Sequence, residues 1–223
     1  MTTSQSITVR PVTVRRTSAV VPCRQSCILV RDASISMEGE KAAHANAASQ
    51  ALVHALAEPQ NNDAFRCAVV DFAGNAETVH ALCTAHELAG QLKPIEIRPS
   101  TDIAEGLAAA AALLEKDRNS PSNGAKQAHP VVVLYSDGGH NGSGSPQFEA
   151  DRLKQNLGCT IVTVAFGSDA DEDLLRKLAS SPVHFYRAKD GFKLRDLFAA
   201  VGRTMSVSLK AGVDPQQALG GLK

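Results

Sequence analysis

The stretch "CILVRDASIS", residues 27–36, is an apolar run that ends on a charged pair and passes at once into small hydroxyl residues. Four consecutive apolar residues without polar alternation describe a strand buried on both faces, as in parallel sheets covered by helices. Asp32, Ser34 and Ser36 follow where such a strand must leave the sheet. Three further runs of the same kind lie downstream: "FRCAVVDFA" at 65–73, "PVVVLYSD" at 130–137 and "CTIVTVAFG" at 159–167.

Helical patterns fill the intervals. Between Met37 and Glu58, Ala48, Ala51, Leu52, Ala55 and Leu56 recur at i, i+3, i+4, i+7 and i+8, one apolar face of a helix. Residues 102–117 are rich in Ala and Leu, and the Asp102–Glu105 spacing fits a capping box. Leu174, Leu175 and Leu178 mark another helix, and Leu194, Leu197, Phe198 and Val201 the last. "AETVHALCT" (76–84) alternates enough for a short edge strand. Strand and helix in alternation build right-handed crossovers. The expected fold is therefore doubly wound α/β: a mostly parallel, Rossmann-like sheet flanked by helices on both faces, with one short antiparallel edge strand.

The expected organisation is a basic N-terminal extension (1–25), one domain (26–207) and a C-terminal tail (208–223) with little to bury. A chain of 223 residues, 43% of them hydrophobic, is long enough for one substantial core. In the extension, "SITVRPVTVRR" alternates around Pro11 and suits an edge strand or hairpin. Its four arginines meet no acid, which leaves 19 basic against 23 acidic residues in the remainder. That balance excludes a strong field toward nucleic acid or anionic lipid. Two Tyr, seven Phe and no Trp also leave few rings for stacking bases. No apolar run approaches the ~18 residues of a membrane span, and the N-terminus lacks an apolar signal core. Five cysteines, an odd number, with Cys27, Cys67 and Cys159 inside strand-like runs, point to a reduced chain. A cytoplasmic location is expected. Cys23 and Cys27 find no second pair to complete a zinc set.

Ligands of doubly wound sheets sit beyond the carboxyl ends of the strands. Asp32 lies at one such end and Asp137, in "VVVLYSDGG", at another, while "RPSTDIAEGL" brings Thr101 to the same rim just before a helix. Asp32, Ser34, Ser36, Thr101 and Asp137 are thus five hard oxygen donors on three loops. They suit Mg²⁺, with Mn²⁺ or Ca²⁺ as other candidates. Two carboxylates balance a divalent charge formally, but hydroxyl donors leave the ion electrophilic and receptive to one more anionic ligand. Each donor alone could be only a helix cap or a turn residue. Capping, however, does not require three caps and two acids to converge. Asp71, in "VVDFAG", reads as a solvated strand end rather than an outer-shell group of the site.

Asp32-Ala-Ser34-Ile-Ser36, Thr101 in "STDIAEGL" and Asp137 in "SDGG", in that order, resemble the metal-ion-dependent adhesion site of the von Willebrand factor A family over about residues 26–207. The resemblance implies that these five residues are the metal ligands. It also implies a non-enzymatic module whose metal takes a Glu or Asp from a protein partner. Many members carry glycine between the two serines, where this chain has Ile35. Among single-domain members it is similar to TerY-like proteins, which implies a bacterial regulatory or stress-response role of the tellurium-resistance kind.

Other signals carry less. "GGHNGSGSP" (138–146) lacks the Gly-Lys-Ser/Thr of a phosphate loop and reads as a flexible loop with His140 exposed to solvent. His44 and His54, ten apart on one helix, cannot share a metal. No Ser/His or Cys/His pair is legible. Two alternatives remain: a Mg²⁺-dependent phosphoryl-transfer or hydrolytic enzyme, and a structural subunit with a vestigial metal site that pairs through its N-terminal strand.

Overall fold

In the computed structural model, residues 22–120 and 124–222 are described. The first apolar run becomes β1 (Cys23–Asp32), which opens four residues earlier than its apolar stretch, inside the expected extension. A 3₁₀ turn over Ile35–Met37 leads to α1 (Glu40–Leu56). Then come β2 (Phe65–Phe72), β3 (Ala76–Thr84), α2 (Ala85–Ala89) and α3 (Ile103–Arg118). The second half holds β4 (Lys126–Gln127), β5 (Val131–Ser136), α4 (Pro146–Asp151), β6 (Thr160–Phe166) and α5 (Glu172–Leu178). It closes with β7 (Phe185–Ala188), α6 (Gly191–Ala211) and α7 (Pro215–Leu219). The expected strand or hairpin within residues 7–14 lies outside the described residues.

The sheet runs β3-β2-β1-β5-β6-β7, with β4 beside the start of β1. Among the described residues only β2 and β3 pair antiparallel, and the other neighbours are parallel. This is the expected doubly wound α/β architecture with one antiparallel edge. Because strand side chains alternate between faces, β1 divides its run: Cys27 and Leu29 face α1 and α6, Ile28 and Val30 face α3. Val133 and Val164 join the first layer, and Val132, Leu134 and Ile161 the second. Each fully buried aliphatic side chain contributes about 1.5–3 kcal/mol. β3 has only half-buried and exposed positions, as a strand at the edge of a sheet should. No helix among the described residues is long and apolar enough to cross a membrane.

The α1–α6 crossing depends on a glycine. A Cβ on Gly202 would lie 2.7 Å from Ala55 Cβ and 3.0 Å from the Leu52 carbonyl oxygen. The helices therefore meet backbone to side chain, and α1 presents Leu52, Val53 and Leu56 to Phe198, Val201 and Met205 of α6.

Some expectations need correction. The tail does have something to bury: α6 continues to Ala211, and α7 inserts Leu219, fully buried, beside β7. The Tyr186 hydroxyl donates to the Leu219 carbonyl. Buried His184 contacts the Gln216 carbonyl at 2.7 Å through Nε2 and Ser181 Oγ at 2.8 Å through Nδ1. That Ser/His pair fastens α7, and its short local spacing had no catalytic pattern to announce it. β4, α4 and β7 were also not anticipated, being too short for periodicity to show.

Candidate metal centre

Asp32 ends β1, and its backbone is registered against Phe72 of β2. The chain is pulled out of the sheet there: Ala33 N–H donates to the Phe72 carbonyl at 2.8 Å, and the Ala33 carbonyl accepts from Arg98 N–H at 2.8 Å. The second bond draws the 98–102 segment to the rim. Asp102 then starts α3, accepting from Glu105 N–H at 3.2 Å, while its own N–H is taken by the Ala73 carbonyl. Only one half of the expected capping box forms, since the other donor is already spent. The complete box stands instead at Thr84 and Glu87, before α2.

Four of the five expected ligands form one hydrogen-bonded chain. Ser34 N–H donates to Asp32 Oδ1 at 2.9 Å, Ser34 Oγ lies 2.9 Å from Ser36 Oγ, and Ser36 Oγ donates to Asp137 Oδ1 at 2.6 Å. Asp32, Ser34 and Asp137 are buried, and Ser36 is exposed. Thr101, 6% exposed, stands on the third loop at the same rim but outside that chain. Asn141 holds it there: Thr101 N–H donates to Asn141 Oδ1 at 2.8 Å, and the Thr101 carbonyl accepts from Asn141 N–H at 2.9 Å.

Two participants were not anticipated. Ser136, beside Asp137, donates its hydroxyl to Asp32 Oδ2. Lys41, in the first turn of α1, forms an ion pair with Asp137 Oδ2. "YSD" offered a faint signal for the first. Nothing local announced the second, because it spans 96 residues.

Burial pushes the Asp32 carboxyl above its usual range; bonds from Ser136 and Ser34 oppose that, and the nearby Asp137 charge adds to it. Of these two buried carboxylates Asp137 meets the Lys41 ammonium and Asp32 meets hydroxyl and amide donors, so the rim is short of positive charge. The donors are all oxygen. Among the described residues no group of three or more His, Cys, Asp or Glu is placed to hold a metal, so a site here must rely on hydroxyls, as hard divalent ions allow. In that respect the residues fit the ion.

Asp71 is not a solvated strand end. It is 3% exposed, and fully buried Arg31 grips it with Nε to Oδ1 at 2.6 Å and Nη2 to Oδ2 at 2.8 Å. Arg31 also donates to the Lys93 carbonyl at 3.1 Å, and Arg98 to the Asp71 carbonyl at 3.0 Å. The 138–145 loop, though mostly exposed, is tied to the start of α3. His140 Nδ1 accepts from Ile103 N–H at 3.2 Å, Nε2 lies 3.0 Å from the Gly144 carbonyl, and its side chain is mostly buried rather than facing solvent. A Cβ on Gly142 would fall 1.8 Å from Asp102 Oδ2, so only glycine lets this loop close over the start of α3.

Comparison with known proteins agrees with this fold. The chain is 27% identical over 169 residues to human inter-alpha-trypsin inhibitor heavy chain H6, covering 71% of this chain and 12% of that protein. It is similar to proximal thread matrix protein 1 from the mussel byssus, at TM-score 0.68 and 18% identity, over 83% of this chain and 49% of that one. A second structure of that protein, described with a zinc-occupied MIDAS motif, matches at TM-score 0.60 and 21% identity, over 83% and 46%. A von Willebrand factor type A protein from Catenulispora acidiphila matches at TM-score 0.63 and 21% identity, over 82% and 42%. The chain thus spans an eighth of the curated relative and about half or less of these structures. The structural likenesses establish the fold alone. Domains of this type are commonly metal-dependent protein-interaction modules. The von Willebrand factor type A domain model matches residues 27–200, well over half the sequence, and the chain belongs to that family.

Proposed function

We propose that the chain is a non-enzymatic interaction module in which Asp32, Ser34, Ser36, Thr101 and Asp137 hold Mg²⁺, with Mn²⁺ or Ca²⁺ as substitutes, and a Glu or Asp of a protein partner completes the shell. The observation that carries this reading is the 2.6 Å bond from Ser36 Oγ to Asp137 Oδ1, which joins loops 101 residues apart around a pair of buried acids. A bound ion would supply Lewis acidity at the rim. The chain's own part is to hold oxygen donors in place: Ser136 and the Ser34 N–H orient Asp32, and Asn141 positions Thr101. Five oxygens with only two charges favour a further carboxylate, and binding rather than turnover.

The setting belongs to the same proposal: the cytoplasm, in a bacterial regulatory or stress-response system of the tellurium-resistance type. Five free cysteines, three of them buried in or beside β1, β2 and β6, support a reducing compartment. Recovery of the native chain outside the cytoplasm on cell fractionation would reject that part.

Thermal melting tests the site. A ligand at about 100 times its Kd adds about 2.7 kcal/mol, so saturating Mg²⁺ should raise Tm by roughly 5–10 °C for a chain of this size. Asp32→Ala should erase the rise. Equal responses of mutant and parent would reject the assignment.

A further inference from the structure

We infer that Lys41 is a tethered competitor for the metal, lowering the affinity of the site for divalent ions; this rests on the metal-site reading above. Asp137 is fully buried through its side chain, and both of its oxygens are engaged, Oδ1 by Ser36 and Oδ2 by the Lys41 ammonium. Lys41 reaches the rim from the first turn of α1, passing the end of β6, where its Cε lies 3.8 Å from the position a Cβ on Gly167 would take. Its side chain is about one-third exposed, so the ammonium can leave Asp137 for water without unfolding anything.

A divalent ion ligated by Asp137 must displace this ammonium, and then sits close to the positive charge it displaced. Both effects act in one direction, against metal uptake. They also change the character of the loaded rim. Asp32, Asp137 and one divalent ion sum to zero, so a retained Lys41 adds a positive charge beside the ion, and a partner's carboxylate gains a second attraction. Lys41 therefore trades metal affinity for preference toward an anionic partner. Sequence alone places it only one turn into a helix, among exposed Glu38 and Glu40, where a lysine ordinarily serves solubility.

Calorimetric titration with Mn²⁺ of the full chain, Lys41→Met, Lys41→Arg and Asp32→Ala tests this. Lys41→Met should bind Mn²⁺ on the order of tenfold more tightly than the parent, and Lys41→Arg, which keeps the charge, should stay near the parent. Detectable binding only in Lys41→Met would support the inference more strongly still. Equal or weaker binding by Lys41→Met, with Asp32→Ala inactive, would overturn the role of Lys41 and leave the site standing. Binding by Asp32→Ala equal to the parent would overturn the site, and the competitor with it.

Discussion

Asp32 concentrates the conflict between folding and the proposed metal binding. Its carboxyl is fully buried and held above the ordinary carboxylate range by desolvation, opposed by Ser136 and Ser34. Because the folded value exceeds the unfolded one, the fold favours the protonated form. The stabilising contribution is fully present below pH 3.8 and lost as pH rises through the folded value. At neutral pH without metal the ionised group is therefore a burden. Asp32→Asn should melt at or above the parent in EDTA and lose the response to Mg²⁺. A lower Tm in EDTA would show that the charge is compensated within the chain. Asp32, Ser34, Ser36 and Asp137 were legible because each sits at a strand end or within four residues of one. The partners that tune them were not, since Ser136–Asp32 and Lys41–Asp137 join positions about a hundred residues apart.

Between elements, the Arg31–Asp71 pair is the informative case. Asp71 reads as a solvated strand end only if β2 is taken alone; its register against Arg31 of β1 puts both side chains beneath the edge segment that carries Lys93 and Arg98. Removing one partner leaves a buried charge unmatched, at a cost of about 3–5 kcal/mol. Asp71→Asn should lose that much in urea unfolding, whereas replacing both residues with apolar ones should recover most of it. A single mutant within 1 kcal/mol of the parent, to order of magnitude, would show that water reaches Arg31. The long apolar strands were readable because burial on both faces leaves no polar alternation. β7 was missed because four residues with an exposed Arg187 carry no period. The α1–α6 contact makes a sharper demand. Gly202→Val should destabilise by about 1–3 kcal/mol or more, as overpacking does, because the rigid Ala55 Cβ and Leu52 carbonyl stand in the way.

Across the whole molecule, the proposed recognition site and the closure of the tail occupy opposite poles. The proposed metal donors gather where β1 and β5 end. α7 docks where strands begin: Asp214 lies 3.2 Å from His129, just before β5, and His184, just before β7, holds the Gln216 carbonyl. Composition suggested that residues 208–223 had little to bury, yet Leu219 of a short helix is fully buried in the α6 layer, with Leu209 and Leu222 packed against it. The two poles share a sheet but no side-chain contact described above, so their contributions should be separable. Deleting residues 213–223 removes the Leu219 burial, worth about 2–5 kcal/mol by analogy with large-to-small substitutions, and should lower Tm by roughly 4–20 °C. The Mg²⁺-induced rise should survive undiminished in the truncated chain, because Asp32, Ser36 and Asp137 depend on β1, β5 and α1 for their positions. Loss of the rise together with the tail would mean that the sheet transmits strain from one pole to the other, and that the rim is assembled only when the far end is closed.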